Sequence, residues 1–505
     1  MTKTKGVVAA GHELTVAAAS EILEDGGNAF DAALAGAFMT FVAEAVFASP
    51  GGGGFLMARQ AGKAKAALFD FFVETPLQKR ASAAFFPIHA DFGPATQEFH
   101  IGQGSSATPG AIPGLFAIHE ALCRLPMKRL AEPAARAARK GFPLSPFQAY
   151  LFTVIAPILT ASEGVARIFA PGGKPMAAGE TFRNEKLADC LEWAAEDGPR
   201  LFADGDVGRA IVAGQNSGGG HLTHADLARY RVALRDPLTW KHRGATVALN
   251  PPPAASGALI AFGLAYLDAA VRAGGAIDAL QLRDAMAAIN QARAAHGEDL
   301  ARRLVGGEPV QELGKARRHA ASYRGTTHVS VIDAEGNAAA VSLSNGEGNG
   351  FIVGDFGFML NNMLGEEDLA QDGLGDWRPG TRLSSMMAPT IILEPDGAIT
   401  ALGTGGSNRI RSAILQVAVN LLDHGMGLDE AVACPRLHVE RDGKLSFEPG
   451  FTEEAATAFR EAGEQAHAWP ERNLFFGGVH AARREAKGGL EGAGDPRRAG
   501  ASRVV

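Results

Sequence analysis

A threonine pair, Thr326-Thr327, offers the most specific chemistry in this sequence. It follows a polar, locally basic segment, residues 298–325, that we expect to be an exposed linker, and it opens a strand-like run. If the chain is cut between Gly325 and Thr326, Thr326 gains a free α-amine, whose ordinary pKa is about 7.7–8.0. That amine can take the proton of the threonine hydroxyl, so one residue becomes both nucleophile and base. The same residues are also good strand formers, because β-branched side chains suit a pleated surface.

The elements that must position this threonine predict an α+β protein. Residues 326–333 and 338–344 alternate as two strands around a turn at 334–337, and a second hairpin is predicted over 390–393 and 399–402. Helices are expected early in the chain, with paired hairpins late. The other main predicted elements are strands at 7–9, 55–59, 66–73 and 245–249, and helices at 15–25, 29–47, 277–295 and 411–422.

Composition excludes several classes of protein. The 505 residues include 48 Lys+Arg and 55 Asp+Glu, so the net charge is 48 − 55 = −7. A chain with this charge lacks the excess of basic residues that is typical of nucleic-acid-binding proteins. The P-loop, GxSxG and HExxH motifs are absent from the sequence, and no Cys/His spacing indicates a metal site. Three cysteines cannot form a disulfide framework. We therefore expect a cytoplasmic protein, without a signal peptide, a transmembrane segment or a membrane partner.

Further motifs occur in order along nearly the whole chain. They are Gly6-Val7-Val8-Ala9-Ala10, Gly26-Gly27-Asn28-Ala29-Phe30-Asp31, Gly51-Gly52-Gly53-Gly54-Phe55, Thr108-Pro109-Gly110, Asn250-Pro251-Pro252-Pro253, Thr326-Thr327-His328, Leu360-Asn361-Asn362, Leu383-Ser384-Ser385-Met386, residues 403–409 and Gly494-Asp495-Pro496-Arg497-Arg498. Together they resemble the gamma-glutamyltranspeptidase family of N-terminal nucleophile hydrolases. So many motifs in the same order are more specific than any one of them.

The resemblance implies a fold, a maturation step and an activity. The fold is a four-layer αββα sandwich. The precursor is expected to cleave itself before Thr326, giving a large subunit 1–325 and a small subunit 326–505 that stay together as one composite domain. The family breaks γ-glutamyl amide bonds through an acyl-enzyme and passes the acyl group to water or an amine. The expected partners are thus a small-molecule amide and its acceptor, and neither a cofactor nor a metal is implied.

The resemblance also assigns roles to residues of this sequence. Thr326 is the nucleophile, and Ser344 matches a second hydroxyl residue near its amine. Backbone N–H groups of Gly406 and Ser407 occupy the oxyanion-hole positions, where such donors are worth roughly 10²–10³ in rate. The residues matched to substrate binding are Asn345 for an α-amine, Ser384 and Ser385 for an α-carboxylate, and Glu366, which loosely matches an Asp.

Departures from the family pattern concern the acyl group. Phe72 stands where the family has an Arg that clamps the α-carboxylate, and a benzene ring cannot replace a bidentate cation. Met363 stands where a polar residue is frequent. The loop 367–382 and the segment before Thr326 are shortened, which suggests a more open site.

Three hypotheses about function follow. One is γ-glutamyl hydrolysis or transfer, with Arg382, or less well Arg409 or Arg411, replacing the lost cation. A second is an acylase for less polar, glutaryl-type acyl groups, with Phe72 and Met363 lining the pocket. The third is an unprocessed, non-catalytic binding protein.

Overall fold

The computed structural model describes residues 4–91, 96–272, 277–313, 325–366, 376–461 and 466–505. Its strands are β1 Gly6–Ala10, β2 Gly53–Arg59, β3 Ala67–Phe71, β4 Phe86–Asp91, β5 Thr96–Ile101, β6 Phe142–Pro143, β7 Thr181–Phe182, β8 Ala233–Arg235, β9 Leu238–His242, β10 Ala245–Leu249, β11 Thr327–Asp333, β12 Ala338–Ser344, β13 Thr390–Leu393, β14 Ile399–Gly405, β15 Leu437–Val439, β16 Leu445–Phe447, β17 Ala466–Ala468, β18 Gly478–Arg484, β19 Leu490–Ala493 and β20 Ala501–Val504.

Its α-helices are α1 Glu13–Glu24, α2 Ala29–Ala43, α3 Ala111–Leu122, α4 Met127–Lys140, α5 Pro146–Val154, α6 Ala156–Leu159, α7 Glu163–Phe169, α8 Glu185–Asp197, α9 Arg200–Ala203, α10 Asp206–Ser217, α11 His224–Arg229, α12 Ser256–Arg272, α13 Ala279–His296, α14 Leu300–Val305, α15 Val310–Leu313, α16 Arg409–Leu422, α17 Leu428–Ala433 and α18 Glu453–Glu461. The two hairpins and the early helices predicted from the sequence are confirmed to within a few residues at their ends. In the described part of the chain, no helix combines the length and the apolar character needed to cross a membrane.

Two antiparallel sheets dominate the structure. The first has the strand order β20-β1-β11-β12-β2-β3-β8, and the second has the order β19-β18-β14-β13-β10-β9. β11 and β12 pack against β14, so the sheets contact each other near the middle of the first sheet. Both sheets contain strands from before and after Gly325. The two halves of the sequence therefore share their hydrogen-bonded ladders.

Helices cover the outer faces of these sheets. α1 and α2 pack on the first sheet, and α12 and α16 pack on the second. Every residue of α2 is buried, which explains why its sequence is apolar on all sides instead of amphipathic. A capping box of Asn28 and Asp31 begins this helix. The neighbouring amide of Ala29 donates to Asp333 at 2.9 Å, so α2 is fixed against the end of β11.

The prediction of an exposed linker over 298–325 is wrong where the described residues form helices, although residues 306, 307 and 309 between them are exposed. Residues 300–305 and 310–313 form α14 and α15, and the side chains of Leu300, Leu304 and Leu313 are buried in the core beside α12 and α13. Gly325 is also buried. Leu300 and Leu304 stand four positions apart, the spacing of one helical face, but the polar residues around them hide so short a pattern. Residues 314–324, and 367–375 of the shortened loop, lie outside the described residues.

Candidate active site

The register of the central hairpin brings Thr326 and Ser344 together. Thr327 pairs with Leu343 across β11 and β12, so the next position on each strand places Thr326 opposite Ser344. Val329 and Val331 point to the α1–α2 side of the sheet. Side chains alternate along a strand, so Thr326 and Ser344 face the second sheet.

Both hydroxyls act on the carbonyl group between Gly325 and Thr326. The Ser344 hydroxyl and the Thr326 hydroxyl each donate to the Gly325 carbonyl oxygen at 2.8 Å. The Ser344 oxygen also accepts the N–H of Gly346 at 3.1 Å, which leaves its proton for that carbonyl. Two donors polarise this peptide bond, and one of them is the hydroxyl group best placed to attack it.

The Gly406–Ser407 turn lies at the end of β14, where α16 begins two residues later. Gly406 has φ +125° and Ser407 has φ +51°. A positive φ is unusual for serine and marks a strained, specific backbone shape of the kind found at functional sites. The N-terminus of a 14-residue helix adds a partial positive charge beside this turn. A Cβ at Gly405 would overlap the Thr326 carbonyl oxygen, so the turn packs directly against Thr326.

An open cavity of ≈ 330 Å³ unites most of the predicted site residues. Its polar lining comes from Thr326, Ser344, Glu366, Ser385 and Ser407, with Gly325 at its edge. Its apolar lining is formed by Phe72, Met363, Met386, Met387 and Ile410. Among these described lining residues Glu366 carries the charge, and none is lysine or arginine.

Arg382, the first candidate to replace the lost cation, forms its bonds outside the cavity. Its guanidinium group donates to the backbone carbonyl of Phe72 and to the hydroxyl of Tyr230, and it forms an ion pair with Glu74 at 3.1 Å. It also lies over the Tyr230 ring. Arg382 therefore fixes the backbone of Phe72 from behind. The Phe72 side chain stacks on Phe55 with ring centroids 5.4 Å apart and forms part of the cavity wall.

Other predicted residues lie near the cavity without lining it. Ser384 is half-buried, while its neighbour Ser385 lines the cavity. Asn345 is buried, and neither atom of its amide has a hydrogen-bond partner among the described residues. Arg411 is buried and donates to Asn290 at 2.6 Å. The structure therefore gives no support to Arg382 or Arg411 as a carboxylate clamp.

Glu44 and Arg498 contact Thr327 and Thr326 at the start of β11, and sequence reasoning did not assign either of them to the site. Glu44 ends α2 and accepts hydrogen bonds from the hydroxyls of Thr327 and, at 2.8 Å, Thr15. Burial raises the pKa of Glu44 to about 7, although both hydrogen bonds oppose the shift. Arg498 donates to the Thr326 carbonyl oxygen at 3.2 Å. A lone Glu ending an apolar helix was the available signal for the first, since such a residue needs buried partners.

Glu347 is a third residue that sequence reasoning did not identify. It accepts the N–H of Gly325 at 2.9 Å. Gly325 is thus held at its N–H by Glu347 and at its carbonyl, which belongs to the peptide bond with Thr326, by Ser344. Within the described ranges, no group of three or more His, Cys, Asp or Glu side chains is arranged to hold a metal ion.

Comparisons with known proteins give the family and the fold of this chain. The family model Gamma-glutamyltranspeptidase matches residues 15–505. The Acylase ACY 1 proenzyme of Pseudomonas sp. (strain SE83) is 32% identical, over 97% of this chain and 92% of that protein. The Glutathione hydrolase proenzyme of Escherichia coli (strain K12) is 28% identical, over 98% of this chain and 90% of that protein. The crystal structure of cephalosporin acylase from Bacillus halodurans has the same fold, with TM-score 0.86 and 24% identity over 99% of this chain and 96% of that one.

Proposed function

The chain belongs to the gamma-glutamyltranspeptidase family, and on this basis we propose that it is a self-processing acylase whose nucleophile is Thr326. It is an enzyme of the N-terminal nucleophile hydrolase class, like its acylase and glutathione hydrolase relatives. The two sheets and their outer helices support a four-layer αββα sandwich built jointly by residues 1–325 and 326–505.

Maturation begins with attack of the Thr326 hydroxyl oxygen on the carbonyl carbon of Gly325. Negative charge develops on the carbonyl oxygen, to which Ser344 already donates. The Gly325–Thr326 C–N bond breaks, leaving an ester on the threonine oxygen and a free α-amine. Water then hydrolyses the ester, which releases the carboxylate of Gly325.

In the mature protein the same oxygen attacks the substrate amide. The Thr326 α-amine accepts the hydroxyl proton and returns a proton to the leaving amine. The acyl group remains as a threonine ester until water or a second amine takes it. The Gly406–Ser407 turn beside the Thr326 carbonyl is the proposed donor site for the oxyanion.

The charges of the residues that line the cavity indicate which acyl group it can bind. An α-carboxylate buried there would meet Phe72, methionines and Glu366, but no described lysine or arginine. An unpaired buried carboxylate is strongly disfavoured. We therefore infer that the enzyme prefers an acyl group without a carboxylate, and that glutaryl amides, which keep one, are poorer substrates than their uncharged analogues.

A γ-glutamyl group is the second candidate, and Glu366 is the observation that favours it. A buried carboxylate in the cavity can bind the α-ammonium group of a γ-glutamyl substrate. This interaction leaves the α-carboxylate of that substrate without a cation. The location in the cytoplasm stays a prediction from cysteine content.

Two measurements test the proposal. Intact mass should show a fragment that begins at Thr326, and Thr326→Ala should remain one chain of 505 residues. Values of kcat/KM are then compared for pentanoyl, glutaryl and γ-glutamyl anilides, which differ only in their carboxylate and ammonium groups. The pentanoyl compound should be the best substrate. A protein cut elsewhere, or one that never cuts, contradicts the mechanism, and a γ-glutamyl preference above about tenfold, or 1.4 kcal/mol, contradicts the acyl assignment.

A further inference from the structure

A second cavity adjoins the first at Gly325. It has a volume of ≈ 460 Å³ and is lined in part by apolar side chains, among them Phe47 and Leu474. Two arginines, Arg409 and Arg498, also line it. Gly325 belongs to the walls of both cavities, whereas Thr326 lines the first. The peptide that the proposed maturation cuts therefore lies where the two cavities meet.

Arg498 is a buried cation without an ion-pair partner among the described residues. Arg498 is 5% exposed, and one of its guanidinium nitrogens donates to the Thr326 carbonyl. Its Nε has no hydrogen-bond partner among the described residues. The nearby carboxylates have closer partners. Asp495 pairs with Arg436 at 2.6 Å, and Glu448 pairs with Arg497 at 2.5 Å. Glu44, whose charge also acts on Arg498, accepts hydrogen bonds from Thr15 and Thr327. A buried cation whose neighbouring carboxylates are bonded to other groups keeps part of its desolvation cost, so this side chain favours an anionic ligand.

Arg409 adds a second positive charge to the same wall. Burial and the charge of Arg409 lower the pKa of Arg498 to about 10, so Arg498 is still protonated at neutral pH. Arg409 pairs with Glu440 at a distance of 3.8 Å. Glu347, in the same cavity, accepts the N–H of Gly325. The cavity thus combines cations that can bind an anion with apolar surface beside them.

We propose that this second cavity binds the amine half of the substrate, and that Arg498 and Arg409 select amines carrying a carboxylate on an apolar body. The inference rests on the proposed acylase function, because it needs an amide whose carbonyl group reaches Thr326. Such an amide would place its acyl group in the first cavity and its amine in the second. The substrate is then neutral on the acyl side and anionic on the amine side.

The test uses two substrates that differ in one charge. They are the pentanoyl amides of 4-aminobenzoate and of 4-aminobenzamide, which have the same shape. Wild-type kcat/KM should be about tenfold or more higher for the carboxylate, as expected for a charge-assisted hydrogen bond. Arg498→Gln should bring the ratio close to one. Phe72→Leu, a change in the other cavity, should alter both rates by the same factor.

A second variant tests the same proposal if Arg498→Gln fails to fold or to mature. Leu474→Glu places a negative charge at a half-buried position of the same wall and should lower the carboxylate preference by repulsion. A wild-type ratio near one, or a ratio unchanged in both variants, overturns the assignment. If neither amide is cleaved, the proposed function fails instead, and calorimetric binding of 4-aminobenzoate against 4-aminobenzamide to the wild-type protein decides the site alone.

Discussion

Replacing Ser344 by alanine should slow self-cleavage with little effect on the fold. The Ser344 hydroxyl donates to the Gly325 carbonyl oxygen at 2.8 Å, and its own oxygen is held by the N–H of Gly346. The Thr326 hydroxyl also donates to this carbonyl, but it must give up that bond when its oxygen attacks. Ser344 is then the side chain among the described residues that remains to stabilise the developing negative charge.

The size of the effect follows from this geometry. Loss of one preorganised oxyanion donor costs about 10²–10³ in rate, or roughly 2.7–4 kcal/mol. Ser344 is 7% exposed, so water has little access to replace its hydroxyl. We therefore expect Ser344→Ala to process at least about a hundredfold more slowly than the wild type.

The assay follows the intact mass of freshly purified precursor over time. Ser342→Ala is the matched control, because Ser342 lies on the same strand and is buried, but bonds to His328 at 2.8 Å instead of Gly325. It should process within about threefold of the wild type, a change of under 1 kcal/mol. The reasoning is refuted if Ser344→Ala is cut at the wild-type rate, or if the control is slowed equally, which would indicate general distortion of β12.

Three other predictions test the acyl cavity, the turn and the buried carboxyl group. Phe72→Arg should raise kcat/KM for glutaryl anilide relative to pentanoyl anilide by about 10–100-fold, the value of a charged hydrogen bond. The control Phe72→Leu should leave this ratio unchanged, and a ratio that rises equally in both variants contradicts the assignment. Gly405→Ala should impair processing and lower Tm, because its methyl group would overlap the Thr326 carbonyl and overpacking typically costs about 1–3 kcal/mol; normal intact mass and Tm would be evidence against this packing. Burial raises the pKa of Glu44 from 4.5 to about 7, so the native state keeps a proton that the unfolded chain has lost. Stability should therefore fall as pH rises through this window, by roughly 1.4 kcal/mol per pH unit. In the single-chain Thr326→Ala background, adding Glu44→Gln should remove part of the fall in Tm between pH 5 and 7.5; an unchanged fall excludes Glu44 as its source.

The sequence by itself determined the elements around the nucleophile and their pairing. The turn at 334–337 fixes the register of a hairpin, and that register alone puts Thr326 beside Ser344. The capping box that begins α2 was equally local, because its bonds join residues three positions apart. The family followed from motifs in order, and the loss of the clamping arginine was visible at Phe72. The catalytic roles of these residues stay predictions.

Only the tertiary structure decided which charges face the cavities. Arg382 lies close to the serine pair in sequence. In the structure it forms an ion pair with Glu74 and a hydrogen bond to the Phe72 carbonyl, on the far side of the cavity wall. Glu44 meets Thr327 from 283 positions away, and Arg498 meets Thr326 from 172 positions away. Hydrophobic periodicity and turn chemistry act over a few residues. The partner of a buried charge depends instead on which distant segments the folded core brings together, and no local pattern records it.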